Sequence, residues 1–298
     1  MLYNLDITEK ERFDMPLTGL ASYRVRNNII YTQFIEINAV RHCNLSCRSC
    51  SHSSPIAEKA HIIPTVLGKD LRALSHFLRC ETLRILGGEP LLHPSLKELL
   101  KEIRNSGIST NICLVTNGTL LQLLDEKLAA YIDEVQISLY PLKAPQIDKI
   151  QKEIYRLIGL GMHVELKETS HFRESIAQNQ TQNDSIISMV YNSCVSAHAW
   201  RYLTVNNGRL YRCPQSLVFA ESTSDYDDSI DIYRIVSTNN LLKFLENNNP
   251  CKACSQCLGS VGKLFPHEQI KRKDWFATLP LCPEEGIDFA YAKNFRIF

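Results

Sequence analysis

The sequence lacks the long apolar runs, the charge excess and the targeting pattern that would direct it to a membrane or a nucleic acid. Its 298 residues carry 33 Lys and Arg against 32 Asp and Glu, a formal net charge of +1, which gives no electrostatic footprint for nucleic acid. No apolar run reaches the roughly 20 residues of a bilayer-spanning helix. The opening residues MLYNLDITEKERFD are polar and contain acids, unlike a signal peptide. We therefore expect a cytoplasmic protein with neither nucleic acid nor membrane as a partner.

Cysteine, in contrast, is abundant. Cytoplasmic thiol pools would reduce disulfides, so the eleven cysteines need another explanation. Six of them form two tight groups, and clustered thiols in a cytoplasmic chain suggest metal binding. Two others, Cys80 and Cys113, stand alone in apolar segments and are interpreted as small buried hydrophobic residues. The tight groups are Cys43, Cys47 and Cys50, then Cys251, Cys254 and Cys257.

Short apolar runs alternate with amphipathic stretches from about residue 32. The runs are rich in β-branched residues and end at Gly, Pro or polar residues, which favours buried parallel strands. Helical periodicity fills the gaps between them. The alternation predicts an α/β domain whose ligands bind at the carboxyl ends of the strands. The predicted strands are 34–40, 82–88, 112–118, 134–140 and 163–168, and the predicted helices are 65–78, 95–107, 120–132 and 146–161.

The pattern changes after about residue 170. The stretch 171–185 is polar and is predicted to be an exposed connection, and 200–213 is predicted to form a hairpin that turns at Asn206, Asn207 and Gly208. The remainder is irregular, with too small a core to fold without a metal staple. We predict an N-terminal segment (1–30), an α/β domain (31–185) and a small C-terminal domain (186–298).

Three cysteines at spacings of four and three residues can converge on one loop. A [4Fe–4S] cluster bound by only three thiolates leaves one iron open to a substrate or cofactor. The same residues could hold zinc if His42 or His52 supplied a fourth ligand. The GGEP sequence at 87–90 ends the second predicted strand, where two glycines allow the backbone to approach a ligand closely.

CxxxCxxC after the first strand together with GGEP after the second resembles the radical S-adenosylmethionine (SAM) superfamily. The resemblance implies a partial (β/α)6 barrel and a SAM-binding cluster on Cys43, Cys47 and Cys50. It implies SAM contacts from the matching positions and a 5′-deoxyadenosyl radical as the reactive species. One departure is Ser49, where family members usually carry an aromatic residue that packs near the adenine. The SAM-contact positions are Gly87, Gly88, Glu89, Asn117 and Ser138.

The later cysteines resemble the SPASM or twitch extension of radical SAM enzymes. The shorter twitch form, with one auxiliary [4Fe–4S] cluster on four thiolates, fits the six cysteines after residue 190 better than the full form. The expected ligands are Cys194 and Cys213 together with two of Cys251, Cys254 and Cys257, with Cys282 as an alternative; we take Cys254 and Cys257 as the pair. Cys251 is then a spare thiol that could return a hydrogen atom to a substrate radical, although Cys257 or Cys282 could play that part. A structural zinc ribbon is the alternative.

The motifs look most like radical SAM members that act on carbohydrate or aminocyclitol carbons. We expect an epimerase that uses a cysteine thiol as hydrogen donor on a carbohydrate or aminoglycoside-type substrate. Alternatives are a dehydrogenase acting on a sugar or aminocyclitol and an enzyme that modifies a ribosomally made peptide. The resemblance also implies an external one-electron reductant such as flavodoxin or ferredoxin as a partner.

Overall fold

A computed structural model of the chain describes residues 23–141 and 144–295. A mostly parallel sheet forms its centre, with strand order β10-β9-β8-β2-β3-β4-β5-β6 and with β1 paired to β2. The strands from β2 to β6 are parallel neighbours in chain order, and β8 pairs in parallel with the other edge of β2. This α/β sheet is the one expected of a partial radical SAM barrel. Its strands are β1 Arg24–Arg26, β2 Ile29–Val40, β3 Leu78–Gly87, β4 Asn111–Thr116, β5 Glu134–Leu139, β6 His163–Glu168, β8 Leu203–Asn206, β9 Arg209–Tyr211 and β10 Ser229–Asp231.

The connections between the parallel strands are helical, as the periodicity predicted, with one exception. Leucines of the first two helices pack on the sheet in the main core. The single helix predicted over 120–132 was wrong: Leu124 has an extended backbone, and the Asp125 carboxylate caps a new helix by accepting from the Leu128 N–H. The helices of this half are α1 Pro64–Ser75, α2 Leu96–Ser106, α3 Glu126–Ala129 and α4 Ala144–Gly159, with 3₁₀ turns at Pro90–Leu92 and Leu121–Leu123.

The predicted hairpin is confirmed as β8 and β9, and left-handed backbone at Asn207 and Gly208 makes its turn. The connection over 171–185 is more ordered than predicted, because His171–Arg173 (β7) pairs with Leu264–Pro266 (β11) and Ala177 is fully buried. The remaining helices are α5 Asp184–Asn192, α6 Pro214–Thr223, α7 Thr238–Leu245, α8 Pro283–Gly286 and α9 Phe289–Asn294, with a π-helix at Ser196–Trp200 and 3₁₀ turns at Ile232–Arg234, Lys252–Ser255, Arg272–Asp274 and Phe276–Thr278.

Since β8 joins the central sheet, the region after residue 186 is continuous with the α/β unit through main-chain pairing. The division into 31–185 and 186–298 therefore stays a prediction, and most of the segment 1–30 lies outside the described residues. No helix in the described part of the chain is both long and apolar enough to cross a bilayer.

Candidate functional site

The first cysteine loop follows β2 and brings its three thiols close enough together to interact electrostatically. Burial, followed by the proximity of Cys50 and Cys43, raises the pKa of Cys47 well above its usual range. Burial also raises the pKa of Cys43 to about 11. The Cys43 sulfur receives the Leu45 backbone N–H at 3.4 Å and the Asn117 side-chain amide at 3.5 Å. Both contacts supply hydrogen-bond donors to sulfur, as a thiolate ligand requires.

The two glycines of GGEP let the end of β3 lie directly against this loop. The Gly88 N–H donates to the Val40 carbonyl at 2.8 Å, and the Glu89 N–H donates to the His42 carbonyl at 3.1 Å. A Cβ added at Gly88 would lie 1.8 Å from the His42 oxygen. A Cβ at Gly87, whose φ is +123°, would lie 2.4 Å from the Val40 oxygen. Only residues without a side chain can make this approach.

Glu89 ties the ends of β3 and β4 together. It is fully buried, and its carboxylate accepts from Thr116 Oγ1 at 2.7 Å, the Asn117 N–H at 2.9 Å and the Leu91 N–H at 3.2 Å. Burial raises the pKa of Glu89 to about 7, against the effect of these donors. Because the carboxylate is engaged within the protein, it positions the backbone of the GGEP loop and of the TNG loop (116–118) beside the cysteines.

Asn117 links the TNG loop to the cysteine loop. Its side-chain amide donates to Asn44 Oδ1 at 2.9 Å as well as contacting the Cys43 sulfur. Ser138, near the carboxyl end of β5, is half-buried and hydrogen-bonds with Tyr140. Three of the predicted strand-end segments, GGEP, TNG and SLYP, therefore meet around the first cysteine group.

Tyr140 is a candidate functional residue to which the sequence reasoning assigned no role. Burial, and then the nearness of all three cysteines, raises its pKa above the usual range. Its ring stacks on His267 with centroids 4.5 Å apart, and Phe172 meets both rings edge-on. The signal in the sequence was an aromatic residue at the end of a predicted strand, close after Ser138. Tyr140 supplies beside the cysteines an aromatic ring of the kind that Ser49 lacks.

The C-terminal part of the chain closes over the first cysteine loop. Trp275 is fully buried, and its indole N–H donates to the Cys47 carbonyl at 2.9 Å. The Arg272 guanidinium donates to the Cys43 carbonyl. The Ile270 N–H donates to the Ser46 carbonyl at 2.9 Å. The segment 270–275 is thus a hydrogen-bond clamp on the loop.

Five cysteines form the second group, all lining one cavity. Cys251 lies at the centre of the contacts: hydrogen bonding with Cys213 and Cys254, followed by the charge of Arg212, holds the pKa of Cys251 below its usual range. Arg212 donates to the Cys251 sulfur at 3.4 Å. Cys257 accepts the Gly259 N–H at 3.2 Å, and burial, followed by the proximity of Cys194, raises the pKa of Cys257 to about 12. The five are Cys194, Cys213, Cys251, Cys254 and Cys257.

The other cysteines lie apart from both groups. Cys80 and Cys113 are buried on β3 and β4, as expected of small hydrophobic residues. Cys282 precedes α8, near Glu284, and does not line the cavity. Within residues 23–141 and 144–295, no three His, Cys, Asp or Glu side chains are arranged to hold a single metal ion.

The cavity beside the second group has a volume of about 280 Å³ and reaches the first cysteine loop at Ser51 and His52. Glu36 lines it from β2 and pairs with Arg84 at 3.1 Å. Burial raises the pKa of Glu36 to about 7. The cavity therefore lies between the second cysteine group, which lines it, and the end of the first cysteine loop.

Residues 37–158 match the family model described as the Radical SAM superfamily. Curated relatives include GTP 3',8-cyclases from Microcystis aeruginosa (31% identical over 128 residues, 39% of this chain and 37% of that protein) and Clostridium botulinum (25% over 259 residues, 78% and 80%). The chain thus spans well under half the length of the relative from Microcystis.

Two solved structures also resemble the fold. One is a tagged form of anSMEcpe with bound AdoMet (TM-score 0.49, 12% identity, 88% of this chain and 94% of that chain). The other is BtrN in complex with AdoMet and 2-DOIA (TM-score 0.45, 15% identity, 84% and 87%). The family match contains the three-cysteine loop and GGEP, and membership of the matched family implies a [4Fe–4S] cluster and SAM as cofactors.

Proposed function

We propose that this chain is an enzyme that cleaves SAM reductively and uses the resulting radical on a small molecule held between two iron–sulfur clusters. The observation that carries the proposal is the convergence of Cys43, Cys47 and Cys50 with the GGEP and TNG loops inside the family-matched region. When bound, the cluster and SAM supply the 5′-deoxyadenosyl radical. Cys43, Cys47 and Cys50 would hold the cluster, the backbone of Gly87 and Gly88 would meet the SAM amino group, and Asn117 and Ser138 would contact the SAM ribose or carboxylate.

The second group holds the auxiliary [4Fe–4S] cluster. Four thiolates suffice for a closed cluster, so one of the five cysteines is spare. Because Cys251 contacts both Cys213 and Cys254 and receives Arg212, we assign it to the ligand set with Cys194. Cys257, expected from the sequence to be a ligand, then becomes the spare thiol, and it also lines the cavity.

The favoured reaction is epimerisation of a carbon that bears a hydroxyl or amino group. The bound cofactors would supply the radical that removes a hydrogen atom from that carbon and leaves a substrate radical. The Cys257 S–H then returns a hydrogen atom to the opposite face. The Cys257 thiyl radical regains one proton and one electron, and the electron would come from a flavodoxin- or ferredoxin-type reductant. Without a competent thiol, the substrate radical loses the hydroxyl proton and one electron to give a carbonyl; the auxiliary cluster would accept that electron, and the enzyme is then a dehydrogenase.

The first test asks whether the chain cleaves SAM. Anaerobically reconstituted and reduced protein should convert SAM to methionine and 5′-deoxyadenosine, and Cys47→Ala should abolish this conversion. Cys80→Ala is the matched control, since that thiol is buried away from both groups, and it should keep activity. A colourless protein that contains zinc and no sulfide would reject the proposal.

The second test separates the thiol roles and the reactions. Cys251→Ala should lower the iron content, whereas Cys257→Ala should keep the iron and still form 5′-deoxyadenosine but fail to epimerise. An epimerase should incorporate one solvent deuteron at the inverted carbon. A carbonyl product without deuterium would identify the dehydrogenase. Assays with peptides and with GTP, the substrate in the names of the curated relatives, test the remaining alternatives.

A further inference from the structure

The cavity between the two cysteine groups carries more positive than negative charge. Arg201 and Arg212 both line it, whereas its carboxylate, Glu36, is already paired with Arg84. No carboxylate of the described residues forms an ion pair with Arg201 or Arg212. Arg212 is occupied by the Cys251 sulfur and by the carbonyls of Asn247 and Asn249. Arg201 has no comparable set of acceptors among the residues that the structure describes.

The backbone at Arg201, which sets the direction of this side chain, has an unusual conformation. The residue ends the π-helix Ser196–Trp200 and adopts a left-handed conformation, φ 47° and ψ 50°. π-helices and left-handed backbone at residues other than glycine cost free energy and cluster at functional sites. The π-helix begins two residues after Cys194, so the same short segment carries a cysteine of the second group and presents the guanidinium.

The Arg201 guanidinium is held in place but not neutralised. It packs over the Tyr23 ring at 4.8 Å and hydrogen-bonds with that side chain. Its Nε is shielded from solvent and has no hydrogen-bond partner among the described residues. Tyr23 also lies within electrostatic range of Arg212. A buried guanidinium nitrogen without an acceptor is costly unless a ligand supplies one.

We propose that Arg201, assisted by Arg212, binds an oxyanion of the substrate, a phosphate ester or a carboxylate, in the cavity between the two cysteine groups. The planar guanidinium suits such groups because it donates two parallel hydrogen bonds. This inference rests on the proposed function for the identity of the cavity. It narrows the substrate to an anionic carbohydrate-type molecule, because an aminoglycoside with several ammonium groups would be repelled here.

The experiment measures anion binding without turnover, on reconstituted protein whose SAM cleavage has been assayed separately. Isothermal titration with inorganic pyrophosphate and with succinate gives the two dissociation constants and distinguishes phosphate from carboxylate. Arg201→Gln should weaken binding of the preferred anion by at least about tenfold, since a charge-assisted bidentate contact is lost. Arg209→Gln is the matched control: Arg209 packs over Tyr226 and does not line the cavity, so binding should not change.

Arg201→Lys keeps the positive charge but loses the two parallel hydrogen bonds of the guanidinium, so this variant should bind the anion with intermediate strength. It also decides the question if the Gln variant does not fold. Absence of saturable binding to either anion overturns the proposal, as does binding that both Arg201 variants retain at wild-type strength. A change in the electron paramagnetic resonance signal of the second cluster with unchanged anion binding would assign Arg201 to the cluster instead. Failure of SAM cleavage with intact anion binding would reject the proposed reaction but not this site.

Discussion

Gly88→Ala should damage the first cysteine loop, because the added methyl group has no space there. The backbone at Gly88 has no left-handed strain, so only space opposes the substitution. The new Cβ would lie 1.8 Å from the His42 oxygen and 2.9 Å from the Cys43 nitrogen. Overpacking costs about 1–3 kcal/mol. Loss of the Gly88 and Glu89 N–H bonds adds about 1 kcal/mol each. The sum, about 3–5 kcal/mol, lowers the Tm by on the order of 10 °C.

The assay combines calorimetry with iron analysis of reconstituted protein. We expect a lower Tm, loss of about half of the iron because one of two clusters is lost, and no 5′-deoxyadenosine. Gly159→Ala is the matched control: nothing lies within 4 Å of its added Cβ and its φ is not left-handed. Gly159→Ala should be neutral, or more stable by about 0.5–1 kcal/mol. A Gly88→Ala protein with wild-type Tm and full iron content would refute the steric reasoning.

Three further predictions follow from single contacts. Trp275→Phe removes the indole N–H bonded to the Cys47 carbonyl, so it should cost about 1–3 kcal/mol and speed iron loss to a chelator; unchanged loss would contradict the clamp. Burial raises the pKa of Glu36 to about 7 from 4.5. The folded protein therefore binds a proton at Glu36 more tightly than the unfolded chain does, and the free energy of unfolding should fall as the pH rises from about 4.5 to about 7. Calorimetry across that range should show a smaller fall for Glu36→Gln. Tyr140→Leu should raise the KM for SAM while the iron content stays at the wild-type level, and an unchanged KM would argue that this ring does not stand in for an aromatic residue at Ser49.

The sequence was most informative at positions where the backbone conformation, or the space available, restricts which residue types fit. The parallel strands were predictable because their buried apolar runs are short and bounded by breakers, and the hairpin because Asn207-Gly208 is suited to two left-handed residues. GGEP was interpretable as a close approach because no side chain fits at Gly88. These are local requirements, so they are visible in a window of a few residues.

The sequence was least informative about contacts between distant segments. Nothing around Trp275 or Arg272 indicates that they donate to carbonyls more than 220 residues earlier. The role of Tyr140 depends on stacking with His267, which another part of the chain delivers. The choice of cluster ligands among the five cysteines likewise depends on three-dimensional contacts. In the CxxCxxC sequence at 251–257, Cys254 has the same spacing to Cys251 as to Cys257, so the sequence does not select one pair. The sequence interpretation made Cys251 the spare thiol, whereas in the structure Cys251 contacts both Cys213 and Cys254.

Ser49 connects the two cysteine groups, which gives its departure from the usual aromatic residue a physical reason. Ser49 is buried with a left-handed φ of 49°. Its hydroxyl accepts the Ser175 N–H at 2.9 Å, and the Ser175 hydroxyl donates to the Ser49 carbonyl at 2.9 Å. The next residue, Ile176, forms a β-bridge with Cys257. A bulky ring at position 49 would displace this pairing. The small residue therefore keeps the segments that carry Cys50 and Cys257 connected through a continuous series of hydrogen bonds. We predict that Tyr140, at the end of β5, supplies the aromatic surface instead. The second group then stays connected to the first cysteine loop beside the cavity in which the proposed substrate lies.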